Sequence, residues 1–162
     1  MPPDDNPHDN LHEHVRQNLI AGTLDPQEFF EAVAEHSHNG LIGVHYVNHG
    51  DDWVELAIDY QDHLIGDRET GILASGPIVS LCDMGSGMAI MLTTKRFFQT
   101  VTIDLRVDYL RPAKVGASVT ARMQCYRHTR NIAFVRGQAH DGDRASPIAQ
   151  VSGTFMFLET MK

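Results

Sequence analysis

The longest apolar run in this sequence, residues 77–92, is flanked on both sides by segments in which apolar and polar residues alternate. Alternation marks strands with one buried face, whereas a run of that length predicts a helix that is hydrophobic on all sides. One flat face cannot cover such a helix, so the pattern predicts a sheet curled around it. Upstream, residues 41–48 and 53–60 read as two strands joined by the turn His49-Gly50-Asp51-Asp52. Residues 61–71 are polar and read as a loop. Downstream, Val101, Ile103, Leu105, Val107 and Tyr109 alternate with Thr102, Asp104, Arg106 and Asp108, which predicts a half-buried strand. Three more strands are expected over 118–127, 132–140 and 145–158, separated by His128-Thr129-Arg130-Asn131 and Asp141-Gly142-Asp143.

Ahead of the first strand a helix is predicted from Asp25 to Asn39-Gly40. Asp25 suits the N-cap, Pro26 the first helical position, and Glu28 falls three after the cap. Phe29, Phe30 and Val33 give this helix an apolar face. Residues 1 to about 20 read as a tail with a short helical piece over 11–20. The element order describes an α+β chain, with a tail and accessory helix over 1–39 and a sheet-and-helix domain over 40–162.

The 162 residues suffice for one domain, and 42% hydrophobic with 21% charged residues is ordinary globular composition. A net charge of -8 argues against nucleic acid or an anionic membrane as the main partner, though not against a small anionic ligand. Cys82 and Cys125 are too few for a disulfide framework and read as buried thiols. No segment is expected to reach the ~20 apolar residues of a membrane span. The N-terminus lacks the basic and apolar regions of a signal peptide, so the cytoplasm is the expected compartment. His12, His14, His36, His38, His45 and His49 crowd the first third without the spacing of a zinc site, and no metal or cofactor is predicted.

Chemistry concentrates in the apolar run. Asp83 is its one ionisable carboxylate, with no basic residue in the run to pair with it, and a charge so placed needs a reason. A structural role, capping a turn or reaching an edge channel, competes with a catalytic one. Gly85 and Gly87 each cost roughly 0.5–1 kcal/mol relative to Ala in a helix, which suggests that a ligand or another helix approaches the backbone. Ser75-Gly76-Pro77 places free backbone N–H groups at the positive end of the helix, able to donate to a developing oxyanion. Asp83 lies seven residues after Gly76, about 10 Å along the axis and too far for both to act on one carbonyl. Two such helices paired antiparallel in a dimer would bring one subunit's helix start to the other's carboxylate.

Gly71-Ile72-Leu73-Ala74-Ser75-Gly76, followed by Leu81-Cys82-Asp83, resembles the signature of hotdog-fold thioesterases of the phenylacetate-pathway type. The run from Val101 to Gly116 resembles that family's strand ending in a Pro-Ala-x-x-Gly turn. The resemblance spans about residues 40–158 and implies a hotdog fold, an antiparallel sheet wrapped around one long helix. It implies hydrolysis of an acyl-CoA or other acyl-pantetheine, with Asp83 attacking or activating water and the Ser75 and Gly76 amides polarising the carbonyl. Thr102 aligns with a hydroxyl that helps to place the water. Ala74 stands where the family usually has His, Ser75 replaces the first Gly, and Arg68 falls near a usual Asn or Gln. By the same resemblance Arg111, Arg130 and Asn131 are candidates for the nucleotide and its phosphates, and the protein is a homodimer or dimer of dimers. Met84 and Met88 read either as core or as the lining of an acyl tunnel. A non-catalytic acyl-CoA binder is the competing reading, supported by Ala74 and Ser75. A hydratase ranks last, because no histidine lies in the helix or its leading loop.

Overall fold

The computed structural model describes residues 25–34, 37–95 and 99–158. In chain order these form α1 (Pro26–Ala34), α2 (His38–Leu41), β1 (Val44–His49), β2 (Trp53–Ile58), a 3-10 turn (Asp62–Leu64), β3 (Ile65–Asp67), β4 (Ile72–Leu73) and α3 (Ser75–Thr94). The strands β5 (Thr100–Tyr109), β6 (Val119–His128), β7 (Ile132–His140) and β8 (Ala149–Phe157) follow. The six long strands make one antiparallel sheet in the order β1-β2-β6-β7-β8-β5. Helix α3 lies across β2, β6 and β7 and touches β5. Its buried residues pack on the inner faces of these strands, among them Val54, Leu56 and Ile58 of β2 and Val119, Ala121 and Met123 of β6. This is the sheet-on-helix arrangement that the pattern predicts and the hotdog fold that the resemblance implies.

The glycines of α3 divide by what surrounds them. A Cβ on Gly85 would stand 2.9 Å from Met123 Cγ, so this glycine lets the helix settle onto β6. The close neighbour there is the protein's own sheet, not a ligand or second helix. A Cβ on Gly87 would meet nothing within 4 Å.

Several sequence expectations are corrected. The first helix ends at Ala34 and a separate short turn of helix covers His38–Leu41. Its start is as expected: Asp25 Oδ1 accepts from the amides of Gln27 (2.8 Å) and Glu28 (3.1 Å), a capping arrangement. The supposed loop at 61–71 holds the 3-10 turn and most of the small β3–β4 hairpin, too short and polar to show a period. Helix α3 has 20 residues and contains an 18-residue window with a mean hydropathy of 1.2, so one segment does reach the length and apolarity of a membrane span. Its packing across the sheet makes it the core helix of this fold. The tail and the helical piece expected over 11–20 lie outside the described residues.

The largest correction concerns β5, which is not half-buried in a simple alternation. Its register against β8 shifts between Thr102 and Asp104, a bulge at Ile103. Thr100 and Thr102 pair with the buried Phe157 and Phe155, while Leu105 and Val107 pair with Gly153 and Val151. The helix-facing set is therefore Thr100, Thr102, Leu105, Val107 and Tyr109. Val101 and Ile103 face outward, and Ile103 is 55% exposed.

Candidate active site

Because the bulge turns Thr102 inward, its hydroxyl reaches α3 and donates to Asp83 Oδ1 at 2.8 Å. Asp83 Oδ2 has no hydrogen-bond partner among the described residues. The carboxylate is half-buried, and no basic side chain among the described residues is bonded to it. It borders a cavity of about 280 Å³, near the small end of the range for ligand pockets. Met84, Gly87, Met88 and Met91 line this cavity along one face of α3, and Thr100, Thr102 and Phe155 line it from the sheet. Phe29 and Val33 of α1 form a further wall.

At the start of α3 the N-cap position is Ala74, which has no side chain able to cap. The Ala74 amide donates to Leu64 O at 2.8 Å. The next two amides, Ser75 and Gly76, find no acceptor among the described residues, and Pro77 has none to offer. A Cβ on Gly76 would meet nothing within 4 Å, so the space beside this amide is open. Tyr109 Oη donates to Ser75 O at 3.1 Å. That carbonyl and the Gly76 N–H belong to one planar peptide and point in opposite directions, so the bond fixes the aim of the Gly76 N–H. Burial, with the Cys82 thiol as a smaller cause, pushes the Tyr109 phenol up, which keeps it protonated as a donor.

The structure therefore gathers Asp83, Thr102, Met84 and Met88 at one cavity. Ser75 and Gly76 lie two turns up the same helix, not beside Asp83. Arg111 follows the far end of β5, whereas Arg130 and Asn131 are exposed in the β6–β7 turn, whose Asn131 O accepts from Phe157 N. Since Thr100 pairs with Phe157, that turn sits where β5 begins, and a strand of this length separates it from Arg111 by about 30 Å. Within one chain these three residues do not form a cluster. Arg111 is moreover tied internally: Nη1 and Nη2 each donate to Asp141 at 2.7 Å, and Nη1 also donates to Pro112 O.

Sequence reasoning missed several neighbours of the site. Phe29 and Val33 read as an ordinary apolar face, and Tyr109 as one more strand residue. His38 is a further case, since no histidine of the helix or its leading loop was available to the site. The structure nevertheless brings His38 Nε2 within 3.0 Å of Ser80 Oγ, one turn along α3 from Gly76. No sequence signal marks a contact between residues so far apart. Among the described residues no three His, Cys, Asp or Glu side chains gather as metal ligands.

A six-stranded antiparallel sheet packed on one long helix places the chain in the hotdog class, and here that helix carries a lone carboxylate beside a cavity. The family model of the thioesterase superfamily matches residues 70–148, which include both the helix start and Asp83. The medium/long-chain acyl-CoA thioesterase YigI of Salmonella typhimurium is 29% identical over 131 residues, 73% of this chain and 83% of its own length. A Pseudomonas aeruginosa crystal structure superposes with a TM-score of 0.71 at 31% identity, covering 86% of this chain and 99% of that one. The phenylacetic acid degradation protein PaaI of Thermus thermophilus shares the fold at 22% identity, with a TM-score of 0.63 over 74% of this chain and 96% of its own. The chain belongs to the thioesterase superfamily and is a thioester hydrolase.

Proposed function

We propose that this protein hydrolyses acyl-CoA thioesters, with Asp83 acting on the thioester carbonyl carbon directly or through a water that it deprotonates. The observation that carries the reading is the Thr102-bound Asp83 carboxylate at the edge of a largely apolar cavity. Thr102 holds Oδ1, leaving Oδ2 for the reaction. In the water route, Oδ2 takes a proton as the water oxygen bonds to the carbonyl carbon, and the negative charge moves to the carbonyl oxygen. The Gly76 and Ser75 amides stabilise that charge. Collapse of the adduct breaks the C–S bond, and the proton passes to the leaving thiolate, giving a carboxylic acid and free CoA. A neutral acyl chain would occupy the cavity lined by Met84 and Met88; YigI acts on medium- and long-chain acyl-CoA.

The two ends of this machinery are about 10 Å apart on one helix, which favours a site completed by a second copy. Support comes from β5, an edge strand whose outer backbone has no partner strand among the described residues and whose helix-facing Tyr109 is 45% exposed. Antiparallel pairing of two α3 helices would set each Gly76 opposite the partner's carboxylate. Arg130 and Asn131, both exposed, stay candidates for the nucleotide.

The test is thiol release from a panel of aliphatic and aromatic acyl-CoAs by the wild type and Asp83→Asn side by side. The reading expects turnover that falls at least a hundredfold in the variant. Equal rates in both proteins would remove Asp83 from the mechanism.

A further inference from the structure

Gly87 and helix α1 are features of the cavity that catalysis does not require. Gly87 sits in the interior of α3, where glycine is less favourable than Ala because it has more backbone freedom to lose. Packing explains Gly85, which would otherwise strike Met123, but no atom crowds Gly87. What Gly87 borders is the cavity, midway between Asp83 and Met91 on the lining face. A side chain there would project into the space that the reacting acyl group would enter. Phe29 and Val33, four residues apart and hence on one face of α1, line the same cavity. That wall is fixed. Asp25 caps the helix, and Phe29, Phe30 and Ala34 are buried in the core. Helix α1 precedes residues 70–148, the span that the family model matches.

We propose that Gly87 on α3 and Val33 with Phe29 on α1 set the length of acyl chain the enzyme accepts. This rests on the acyl-CoA hydrolase reading above. From Asp83 to Met91 the lining face of α3 runs about 12 Å. An extended chain advances about 1.2 Å per bond, so the space takes an acyl group of about ten carbons. Gly87 keeps the middle of that path open, and Val33 with Phe29 bounds the room left for longer chains.

The experiment measures kcat/KM for butyryl-, octanoyl-, dodecanoyl- and hexadecanoyl-CoA with wild type, Gly87→Leu and Val33→Ala. In parallel, thermal shifts with the free saturated fatty acids of the same lengths report occupancy of the cavity without turnover. The expected result is a dodecanoyl-to-butyryl ratio at least tenfold lower in Gly87→Leu and several-fold higher for hexadecanoyl in Val33→Ala. Fatty-acid stabilisation should shift to matching lengths. Length profiles unchanged in both folded variants would overturn the proposal while leaving the hydrolase reading intact. Absence of thiol release from every acyl-CoA would defeat the hydrolase reading, and the fatty-acid shifts would then still decide whether Gly87 and Val33 gauge chain length. Should Gly87→Leu not fold, Val33→Ala, a partly buried position, supplies both readouts.

Discussion

Replacing Asp141 by Asn tests whether Arg111 belongs to the fold or to the substrate. Asp141 sits in the segment between β7 and β8 with its side chain fully buried, and it accepts three hydrogen bonds: two from the Arg111 guanidinium at 2.7 Å and one from the Lys114 amide at 2.8 Å. The pair clasps the Pro-Ala-x-x-Gly turn after β5 to the start of the β7–β8 segment. Removing one member of a buried pair costs about 3–5 kcal/mol because the other charge is left unpaired. The Arg111 side chain retains 27% exposure, so water recovers part of that and about 2–3 kcal/mol is expected. At roughly 2–4 °C per kcal/mol for a chain of this size, Tm should fall by roughly 4–12 °C.

The pH dependence gives the argument a second handle. Hydrogen bonding from Arg111, aided by the Lys114 amide and the charges of both residues, holds the Asp141 carboxyl well below the usual carboxylate range. A depressed folded pKa contributes stability above the unfolded value, near 3.9, and loses it as pH falls towards the folded one. Urea unfolding of wild type and Asp141→Asn should therefore give a constant gap from pH 8 to pH 5 that narrows below about pH 4. Arg111→Met should lower Tm comparably, and pairing it with Asp141→Leu should cost less than the sum of the two. A Tm change under 1 °C in both single variants would refute the clasp. So would an Arg111→Met enzyme of unchanged Tm whose KM for acyl-CoA rises tenfold, which would return Arg111 to phosphate binding.

Three further outcomes follow from the same geometry. Tyr109→Phe deletes the donor to Ser75 O; at about 1 kcal/mol for the bond, kcat should fall roughly fivefold with KM and Tm little changed, and a kcat within 20% of wild type would end that role. The Cys82 thiol is pushed up to about 12 by burial and by the neighbouring Asp83 charge, and burial also raises Cys125; neither should react with an aromatic disulfide at pH 8 until denaturant is added, whereas fast native labelling of either would contradict their placement. His140 is buried with Nε2 unpartnered among the described residues, and desolvation together with the nearby Arg144 lowers its pKa against the opposing pull of Glu55, Asp141 and Asp143. Because the unfolded chain then binds the proton more readily, stability should drop as pH falls below about 6.5, and His140→Gln should flatten that slope; parallel pH profiles would exclude His140 as its source.

How much of this was legible depended on whether the signal was local. The α3 run announces itself because it is apolar on all sides, and β8 and the first seven residues of β6 because their burial alternates. Asp83 was legible for a similar reason, as a charge where the surrounding pattern forbids one. The β3–β4 hairpin was not: two and three residues are too few to establish alternation. The partner of Arg111 was not legible, because an arginine after a strand gives no hint that Asp141, thirty residues on, accepts from it.

The bulge at Ile103 shows how a fold can be read correctly while the facing of its site residues is not. Strict alternation over 101–109 assigns Val101 and Ile103 to the core and turns Thr102 to solvent, yet the resemblance to hotdog thioesterases gives Thr102 a place in the site. Both cannot hold in a regular strand, because a one-residue change of register exchanges the two faces. The extra residue resolves the conflict: Leu105 and Val107 keep their inward positions, and Thr102 gains one beside Asp83. The conflict between period and chemistry was therefore itself a signal. Where a candidate polar group falls on the wrong face of an otherwise well-patterned strand, a bulge between it and the core residues is the economical way to satisfy both, and bulges concentrate next to active sites for that reason.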